Sequence, residues 1–319
     1  MVTLDEPEMK VRECASGACW FDGRLHENRM LTTVQSRQTQ TLATPFIVRE
    51  CRPIFAVSDL HLGDGGPRDN FAHMSSGHRL DEFLGFLRYV CESNGKLIIV
   101  GDLFDFWQAN LSKVIVYNRK LLDTLAEMEA IYIPGNHDSD LRYFLGEKEP
   151  WLKHPFFKTM REVHTETVDG QHIHFLHGHQ VDPYCSSDTP GIGRATAIYT
   201  GLKEDRHGGP MLHKHLTVEK AYLGWMEWLS CLAQRLMGEG GRYEAMNRDL
   251  GGLRVRGDYH AVISGHTHIA GTVGTSVYNT GTWAEQVNSF VLVAPGKPIG
   301  VFDWIKGVAV PQLRELKVH

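Results

Sequence analysis

The segment PIFAVSDLHL, residues 53–62, is an apolar run that ends in a carboxylate and an imidazole. Runs of this kind are typical of strands buried on both faces of a sheet. Two similar segments follow, KLIIVGDLFD at 96–105 and AIYIPGNHD at 130–138. Residues 79–93 and 112–128, which separate the three segments, carry apolar residues at helical spacing. The alternation predicts an α/β protein and, taken alone, a plain parallel sheet with helical crossovers.

Further strands are predicted in the second half of the chain. Their sequences are HIHFLHGH (172–179), HAVISGHTH (260–268), TSVYNTG (275–281), SFVLVA (289–294) and PIGVFDWI (298–305). The first two again end in polar residues. Five predicted strands therefore deliver carboxylates, an amide and imidazoles at their carboxyl ends, where ligands bind in α/β proteins.

The chain is predicted to have one large domain with two additions. Residues 1–50 lack clear periodicity and are interpreted as an N-terminal extension to a domain at 51–319. The regular succession of predicted strands is interrupted between about 183 and 257, which predicts a helical cap insertion there. The segment LTVEKAYLGWMEWLSCLAQRLM, at 216–237, predicts its main helix, with Gly-Glu-Gly-Gly following it. Its wide apolar arc favours packing against the core, with a groove for an acyl chain or a membrane-surface contact as the alternative.

The composition of the chain indicates which binding partners and which cellular compartment to expect. The net charge is −5 and the isoelectric point is about 6.4, with no basic stripe of the kind that binds duplex nucleic acid. The early residues lack the apolar core of a signal peptide, and no apolar run is long enough to span a membrane. Six scattered cysteines fit free thiols in a reducing compartment. We therefore expect a cytoplasmic protein whose substrate is not a long polyanion, and composition leaves a small phosphorylated substrate held by metal open. Its oligomeric state is left open.

The polar strand ends have the composition of a metal site. Residues two apart at an extended strand end share a face, so Asp59 and His61 can reach one ion, as can His266 and His268. Carboxylate oxygens and imidazole nitrogens suit Mn²⁺, Fe²⁺ or Zn²⁺. Glycines stand beside the ligand positions and allow the backbone to approach closely. Any one of these clusters could be a simple turn or a buried core histidine, but five in order favour a shared site.

These ordered motifs, DLH, GDLFD, GNHD, HGH and GHTH, resemble those of the calcineurin-like metallophosphoesterases, and the likeness extends over residues 52–304. The resemblance implies the calcineurin-like fold, a two-sheet β-sandwich of mixed strands flanked by helices. It also implies two divalent metal ions. Manganese is the expected metal, and iron or zinc is the alternative. The first ion would bind Asp59, His61 and His268. The second would bind Asn136, His177 and His266, with Asp102 bridging the two.

The resemblance also implies a reaction. A hydroxide that bridges the ions would attack phosphorus, while His137, near the leaving group and not a metal ligand, would act as the catalytic residue. Asp105 and Asp138 would orient ligands or, as readily, accept hydrogen bonds in turns. His179 would line the substrate pocket or serve a structural role.

Within this superfamily, GDLFDFW, the insertion and NTGTW are similar to the UDP-2,3-diacylglucosamine hydrolase branch. That branch has Arg at the position of His137 and Gly-Asp where this chain has Gly178-His179. The expected substrate is thus a small phosphodiester, pyrophosphate or phosphomonoester, with a nucleotide sugar like UDP-2,3-diacylglucosamine as the candidate. The alternatives are a nuclease or cyclic-nucleotide phosphodiesterase of the same superfamily, and a metal-bound interaction module without catalysis.

Overall fold

The computed structural model describes most of the chain from Arg52 onward. The predicted extension at 1–50 and the apolar segment at 216–237 lie outside the described residues. Of the predicted insertion at 183–257, only Cys185 and residues 239–257 are described. The described residues are 52–66, 69–73, 79–145, 153–182, 185, 239–284, 287–312 and 316.

The described residues form eleven strands and five α-helices. The strands are β1 (Ile54–Val57), β2 (Lys96–Val100), β3 (Ile131–Ile133), β4 (His164–Val168), β5 (Gln171–Phe175), β6 (Ala261–Ser264), β7 (Gly271–Val273), β8 (Val277–Asn279), β9 (Asn288–Val293), β10 (Gly300–Ile305) and β11 (Val308–Pro311). The helices are α1 (Asn70–His73), α2 (Arg79–Glu92), α3 (Leu111–Tyr117), α4 (Arg119–Glu127) and α5 (Glu239–Arg256). Short 3₁₀ turns occur at Ser139–Phe144, Pro155–Thr159 and His179–Val181. None of the helices in these ranges combines the length and apolarity that a membrane span needs.

The strands form two mixed sheets. The first has the order β11-β10-β9-β1-β2-β3, in which β1, β2 and β3 are parallel and β9, β10 and β11 run antiparallel to their neighbours. The second has the order β4-β5-β6-β8-β7, with β5, β6 and β8 parallel. The plain parallel sheet expected from the alternation alone is therefore wrong. The mixed two-sheet arrangement that the resemblance implied is confirmed.

The apolar run of β1 shows why both faces of the first sheet are buried. Ile54 and Ala56 belong to a core between the two sheets, which they share with Phe175 and Ile263 of the second sheet. Phe55 and Val57 face the opposite side of the sheet, which α2 and α4 cover. Because successive strand residues point to opposite faces, an unbroken apolar run is needed when both faces are covered.

The first predicted helix is confirmed, with a small change in its buried face. Phe83, Leu87 and Val90 of α2 are buried, as their spacing predicted, and so is Phe86. Leu80, another apolar residue of α2, is 46% exposed because it lies in the first turn of the helix.

The second predicted helix, at 112–128, is two helices that meet at Asn118. This residue has φ −91° and ψ 12°, and its side-chain amide donates to Val114 O at 2.9 Å and to Gly63 O at 2.7 Å. The break therefore fastens the helices to the loop that follows Asp59 and His61. A single continuous helix could not place Asn118 in this position and conformation.

The last part of the predicted insertion packs on the second sheet. Helix α5 begins at Glu239, within the Gly-Glu-Gly-Gly sequence that was predicted to end a helix. Leu250 of α5 packs with Leu176, Val262 and Val277, which lie at or in strands of the second sheet. The glycines near its start therefore did not exclude a helix, because packing on the sheet outweighs their low helical propensity.

Candidate metal centre

The seven predicted ligands come together at one end of the two sheets. Asp59, Asp102, His177 and His266 each lie two residues beyond a strand, after β1, β2, β5 and β6, and Asn136 lies three beyond β3. The strands concerned are parallel within each sheet, so their carboxyl ends lie on one side. The predicted convergence is thus present in the structure, although it joins two sheets rather than one. The expectation from spacing that His266 and His268 reach one ion is wrong, because the two side chains fall in different groups of donor atoms.

One group of donor atoms comprises Asp59, His61 and His268. The Nε2 atoms of His61 and His268 are 3.1 Å apart, and His268 Nε2 is 3.2 Å from Asp59 Oδ1. His61 Nε2 is 3.7 Å from the same oxygen. The three side chains offer donor atoms within 4.8 Å of one another, so they could hold one cation.

A second group comprises Asp102, His177, His266 and Asn136. His177 Nε2 lies 3.0 Å from Asn136 Oδ1 and 3.2 Å from Asp102 Oδ2. His177 Nδ1 is 2.8 Å from Val100 O, which can only accept, so Nδ1 carries the proton and Nε2 is available as a ligand. Asp102 Oδ2 is also 3.9 Å from His61 Nε2. Asp102 therefore lies between the two groups.

His137 lies beside the first group and is held on two sides. Its Nδ1 is 3.0 Å from Asp105 Oδ1, and its ring stacks on Trp107 with centroids 3.8 Å apart and planes at 25°. The ring of His61 is 4.5 Å away, edge to face. His61, Asp105 and His137 could also hold an ion by distance alone. The hydrogen bond and the stack leave His137 Nε2 as its remaining functional atom.

Asp105 and Asp138, predicted to orient ligands or cap turns, differ in what they contact. Asp105 does both, because Oδ1 faces His137 and also accepts from the backbone amides of Trp107 and Gln108 at 3.2 Å. Asp138 is fully buried and accepts from the amides of Phe104 at 3.1 Å and Gly135 at 2.5 Å. It ties the loops after β2 and β3 together. Burial, followed by the charge of Asp102, raises the pKa of Asp138 to about 7.

His179 is buried beside the second group, with only 3% of its surface exposed. Its ring centroid is 5.5 Å from that of His177 and 6.4 Å from that of His266. Burial lowers its pKa to about 3, so the ring is neutral. Such a side chain packs behind the predicted ligands, and its alternative role in the substrate pocket stays a prediction.

The backbone at the site is strained. Positive φ angles, uncommon for residues other than glycine, occur at five of the seven predicted ligands. They are Asp59 (54°), His61 (51°), Asp102 (49°), His266 (73°) and His268 (58°). Backbone hydrogen bonds between the loops hold this conformation, among them Asp59 N to Gly101 O at 3.1 Å and His61 N to Asp102 O at 3.0 Å. Each such residue costs about 1–3 kcal/mol, and strain of this kind concentrates at functional sites.

The glycines beside the ligands allow the close approach that was predicted. A Cβ at Gly101, whose φ is +95°, would overlap the ring of His177. A Cβ at Gly265 would overlap the side chains of Ser58 and Asp59. Any larger residue at these two positions would displace a predicted ligand.

Several contacts around Asp59 and His266 were not anticipated from the sequence. Ser58 Oγ donates to Asp59 Oδ2, and the Asp59 carbonyl accepts from Thr282 Oγ1 at 2.9 Å and from Trp283 N at 3.0 Å. The NTGTW segment therefore braces the first strand end. Asp182, also missed, accepts from His266 Nε2 at 2.7 Å. Its position in a polar turn gave no signal, because one aspartate there is unremarkable.

The electrostatics of the site favour a cation. Burial alone would raise the pKa of Asp59, but His268 and His177 outweigh it and hold this pKa well below its usual range. The pKa of Asp102 is likewise lowered, because His177 and His137 outweigh burial. Burial would lower the pKa of His177, yet the charge of Asp102 raises it to about 9. The buried carboxylates are thus ionised and attract positive charge, whether a proton on His177 or a metal ion.

Comparison with known proteins agrees with this geometry. The calcineurin-like phosphoesterase family matches residues 52–270, which is more than half of the chain. The chain belongs to this family. Family membership accounts for the two mixed sheets. The family binds a dimetal centre, and the Asp and His groups described above could hold metal ions.

Two individual proteins are similar to this calcineurin-like chain. A UDP-2,3-diacylglucosamine hydrolase of Ralstonia nicotianae (strain ATCC BAA-1114 / GMI1000) is 28% identical over 152 residues, which are 46% of this chain and 49% of that protein. The chain thus spans about half the length of the curated relative it matches. A crystal structure of a Vps29 single mutant from Entamoeba histolytica covers 82% of this chain and 97% of its own, with 15% identity and a TM-score of 0.35.

Proposed function

We propose that this protein is a dimetal-dependent phosphoester hydrolase. Asp59, His61 and His268 would hold the first ion, with Asn136, His177 and His266 on the second. The observation that carries the proposal is the position of Asp102, whose Oδ2 lies 3.2 Å from His177 Nε2 and 3.9 Å from His61 Nε2. One carboxylate between two ligand groups is what a pair of neighbouring ions requires.

The residues fit two divalent ions. Asp59 Oδ1 is buried, and no donor among the described residues reaches it in hydrogen-bond geometry. Two imidazole Nε2 atoms point toward each other at 3.1 Å in the same group. A cation between these atoms would satisfy the orphaned oxygen and both nitrogens at once. The mixture of carboxylate, amide and imidazole ligands suits Mn²⁺, with Fe²⁺ or Zn²⁺ as alternatives.

The metal ligands and His137 would have different roles in the reaction. When bound, two such ions supply positive charge to the phosphate and lower the pKa of water. Asp105 and Trp107 hold the His137 ring, which leaves Nε2 directed away from its hydrogen-bonded nitrogen. In hydrolysis, the oxygen of water bonds to phosphorus and one of its protons passes to solvent, while the ester P–O bond breaks and the departing oxygen takes up a proton. We assign that proton to His137 Nε2, which makes His137 the general acid.

The substrate we propose is a small phosphodiester or pyrophosphate, with an acylated nucleotide sugar such as UDP-2,3-diacylglucosamine as the candidate. The similarity to a protein of that name supports it. His137 separates the chain from that branch, which has Arg there. The apolar segment at 216–237, outside the described residues, either packs on the core or contacts the acyl chains or a lipid surface, and a cytoplasmic location fits such a substrate.

A panel of phosphoesters tests this proposal. The full chain is freed of metal with a chelator and then assayed with and without Mn²⁺. The substrates are p-nitrophenyl phosphate, bis-p-nitrophenyl phosphate, an acylated UDP-sugar and single-stranded DNA. We expect Mn²⁺-dependent cleavage, fastest on the acylated UDP-sugar. Preference for DNA would favour the nuclease alternative, and no cleavage of any ester by the Mn²⁺-loaded protein would favour a non-catalytic interaction module.

A further inference from the structure

A short contact behind the predicted metal ligands joins His266 to Asp182. His266 Nε2 lies 2.7 Å from Asp182 Oδ2. Asp182 is fully buried, and only 8% of the His266 side chain is exposed. A carboxylate that is removed from water so completely must be compensated by a strong partner. His266 is such a partner in the described part of the chain.

The turn that contains Asp182 fixes its position. Asp182 N donates to His179 O at 3.0 Å, and Cys185 N donates to Asp182 O at 3.1 Å. Asp182 lies five residues after His177, so a single segment carries a predicted ligand and the carboxylate that contacts another. The distance between the two side chains is therefore set by the fold and not by a flexible surface loop.

The contact determines which nitrogen of His266 can bind a metal. A carboxylate at 2.7 Å accepts the proton of Nε2, which leaves the lone pair on Nδ1. His177 is oriented in the opposite sense, because Val100 O accepts from its Nδ1 and frees Nε2. A buried carboxylate also makes the imidazole more basic than a carbonyl does, which strengthens its bond to a metal.

We propose that Asp182 is a positioning residue of the second metal site. It fixes the tautomer and the orientation of His266 and thereby raises the affinity of that site for its ion. The inference rests on the proposed function only in assigning His266 to the second ion. Partners of metal-bound histidines typically change metal affinity about 10- to 100-fold. Loss of Asp182 should therefore weaken the second ion and leave the first unchanged.

Metal titration of the full chain tests the inference. Asp182→Ala, Asp182→Asn and the unaltered protein are stripped of metal and titrated with Mn²⁺, with bound ions counted by mass spectrometry and affinities obtained by calorimetry. We expect a ~10- to 100-fold weaker second ion in Asp182→Ala. Asp182→Asn should fall between, because the amide oxygen still accepts from Nε2 but has no charge. Excess Mn²⁺ should restore occupancy in both variants.

The control is Asp169→Asn, in the turn between β4 and β5. Asp169 accepts from Gly296 N at 2.6 Å and lies at the opposite ends of the strands from the site. It should bind two ions like the unaltered protein. Two ions of normal affinity in Asp182→Ala would overturn the inference, and so would equal weakening of both ions in Asp182→Asn. An unaltered protein that binds fewer than two ions would overturn it as well. A protein that binds two ions but cleaves no ester would contradict the proposed function alone.

A competing explanation makes Asp182 a direct ligand. Donor atoms of Asp182, Cys185 and His266 lie within 4.8 Å of one another and could hold an ion themselves. Loading with Co²⁺ separates the two explanations, because a cysteine ligand produces a sulfur-to-cobalt charge-transfer band. We expect no such band and identical spectra for Cys185→Ser and the unaltered protein. A band that disappears in Cys185→Ser would overturn the positioning role.

Discussion

Replacing Gly101 with alanine tests how the backbone makes room for a predicted ligand. Gly101 has a φ of +95°, and a Cβ there would overlap the ring of His177. His177 is fully buried, and its Nδ1 donates to Val100 O at 2.8 Å. The ring therefore cannot move aside without losing this hydrogen bond and its alignment with Asn136 and Asp102.

The expected loss of stability is the sum of three effects. An alanine in the left-handed region costs about 1–3 kcal/mol. Overpacking against a buried ring adds roughly 1–3 kcal/mol. Loss of the His177 hydrogen bond adds about 0.5–1.5 kcal/mol. Gly101→Ala should thus lower the free energy of unfolding by about 2.5–7.5 kcal/mol and weaken the second metal ion.

Gly170→Ala is the matched control. Gly170 has a φ of +75°, yet no atom lies within 4 Å of the place where its Cβ would be. It should lose only the backbone contribution of about 1–3 kcal/mol and bind metal normally. Urea unfolding of both metal-free variants measures the difference, and Mn²⁺ titration measures the second site. Equal losses of stability, or a normal second ion in Gly101→Ala, would refute the steric explanation.

Three further predictions concern the proposed general acid His137 and the pH dependence of stability. Asp105→Asn should lower kcat and change KM little while both ions stay bound, because His137 loses its charged partner. A changed number of bound ions would contradict the positioning role of Asp105. Trp107→Leu should lower kcat through a less ordered His137 ring, whereas Trp107→Phe, which retains a stacking face, should recover most of the rate. Burial alone would raise the pKa of Glu166, but Lys96, at 2.6 Å, and His164, at 2.7 Å, together outweigh it and lower this pKa. The stabilisation is present above the unfolded pKa of about 4.3 and is lost as pH falls through the folded value. Unfolding curves of Glu166→Gln should therefore depend less on pH in the acid range, and an unchanged dependence would contradict this assignment.

The sequence predicted the strands that carry the site because buried strands have an unmistakable composition. The apolar runs at β1 and β2 are typical of buried strands, and the polar residues that follow each run are easily recognised in the sequence. Strand β4, HTETV, was missed because it lies at a sheet edge and alternates between half-buried and exposed residues. The division into two sheets depends on pairings between distant segments, such as β1 with β9, that no local pattern encodes.

For the site, residue types were predictable and their supporting contacts were not. Repeated Asp and His residues at strand ends signalled convergence from the sequence alone. The bond from Asp182 to His266 and the stack of Trp107 on His137 depend on tertiary structure, and single aspartates and tryptophans in loops are common. The left-handed conformation of Asp59 gave no signal either, because the strain is imposed by neighbouring loops.

Asp102→Ala tests the central claim most directly. Asp102 is 1% exposed and lies between the two ligand groups, where its carboxylate is proposed to bridge the two ions. The full chain, Asp102→Ala and the control Asp169→Asn are loaded with Mn²⁺, and bound metal and hydrolysis of bis-p-nitrophenyl phosphate are measured on the same samples. We expect two bound ions and turnover in the unaltered full chain and in Asp169→Asn. In Asp102→Ala we expect neither two bound ions nor turnover. Unchanged turnover in Asp102→Ala would contradict it.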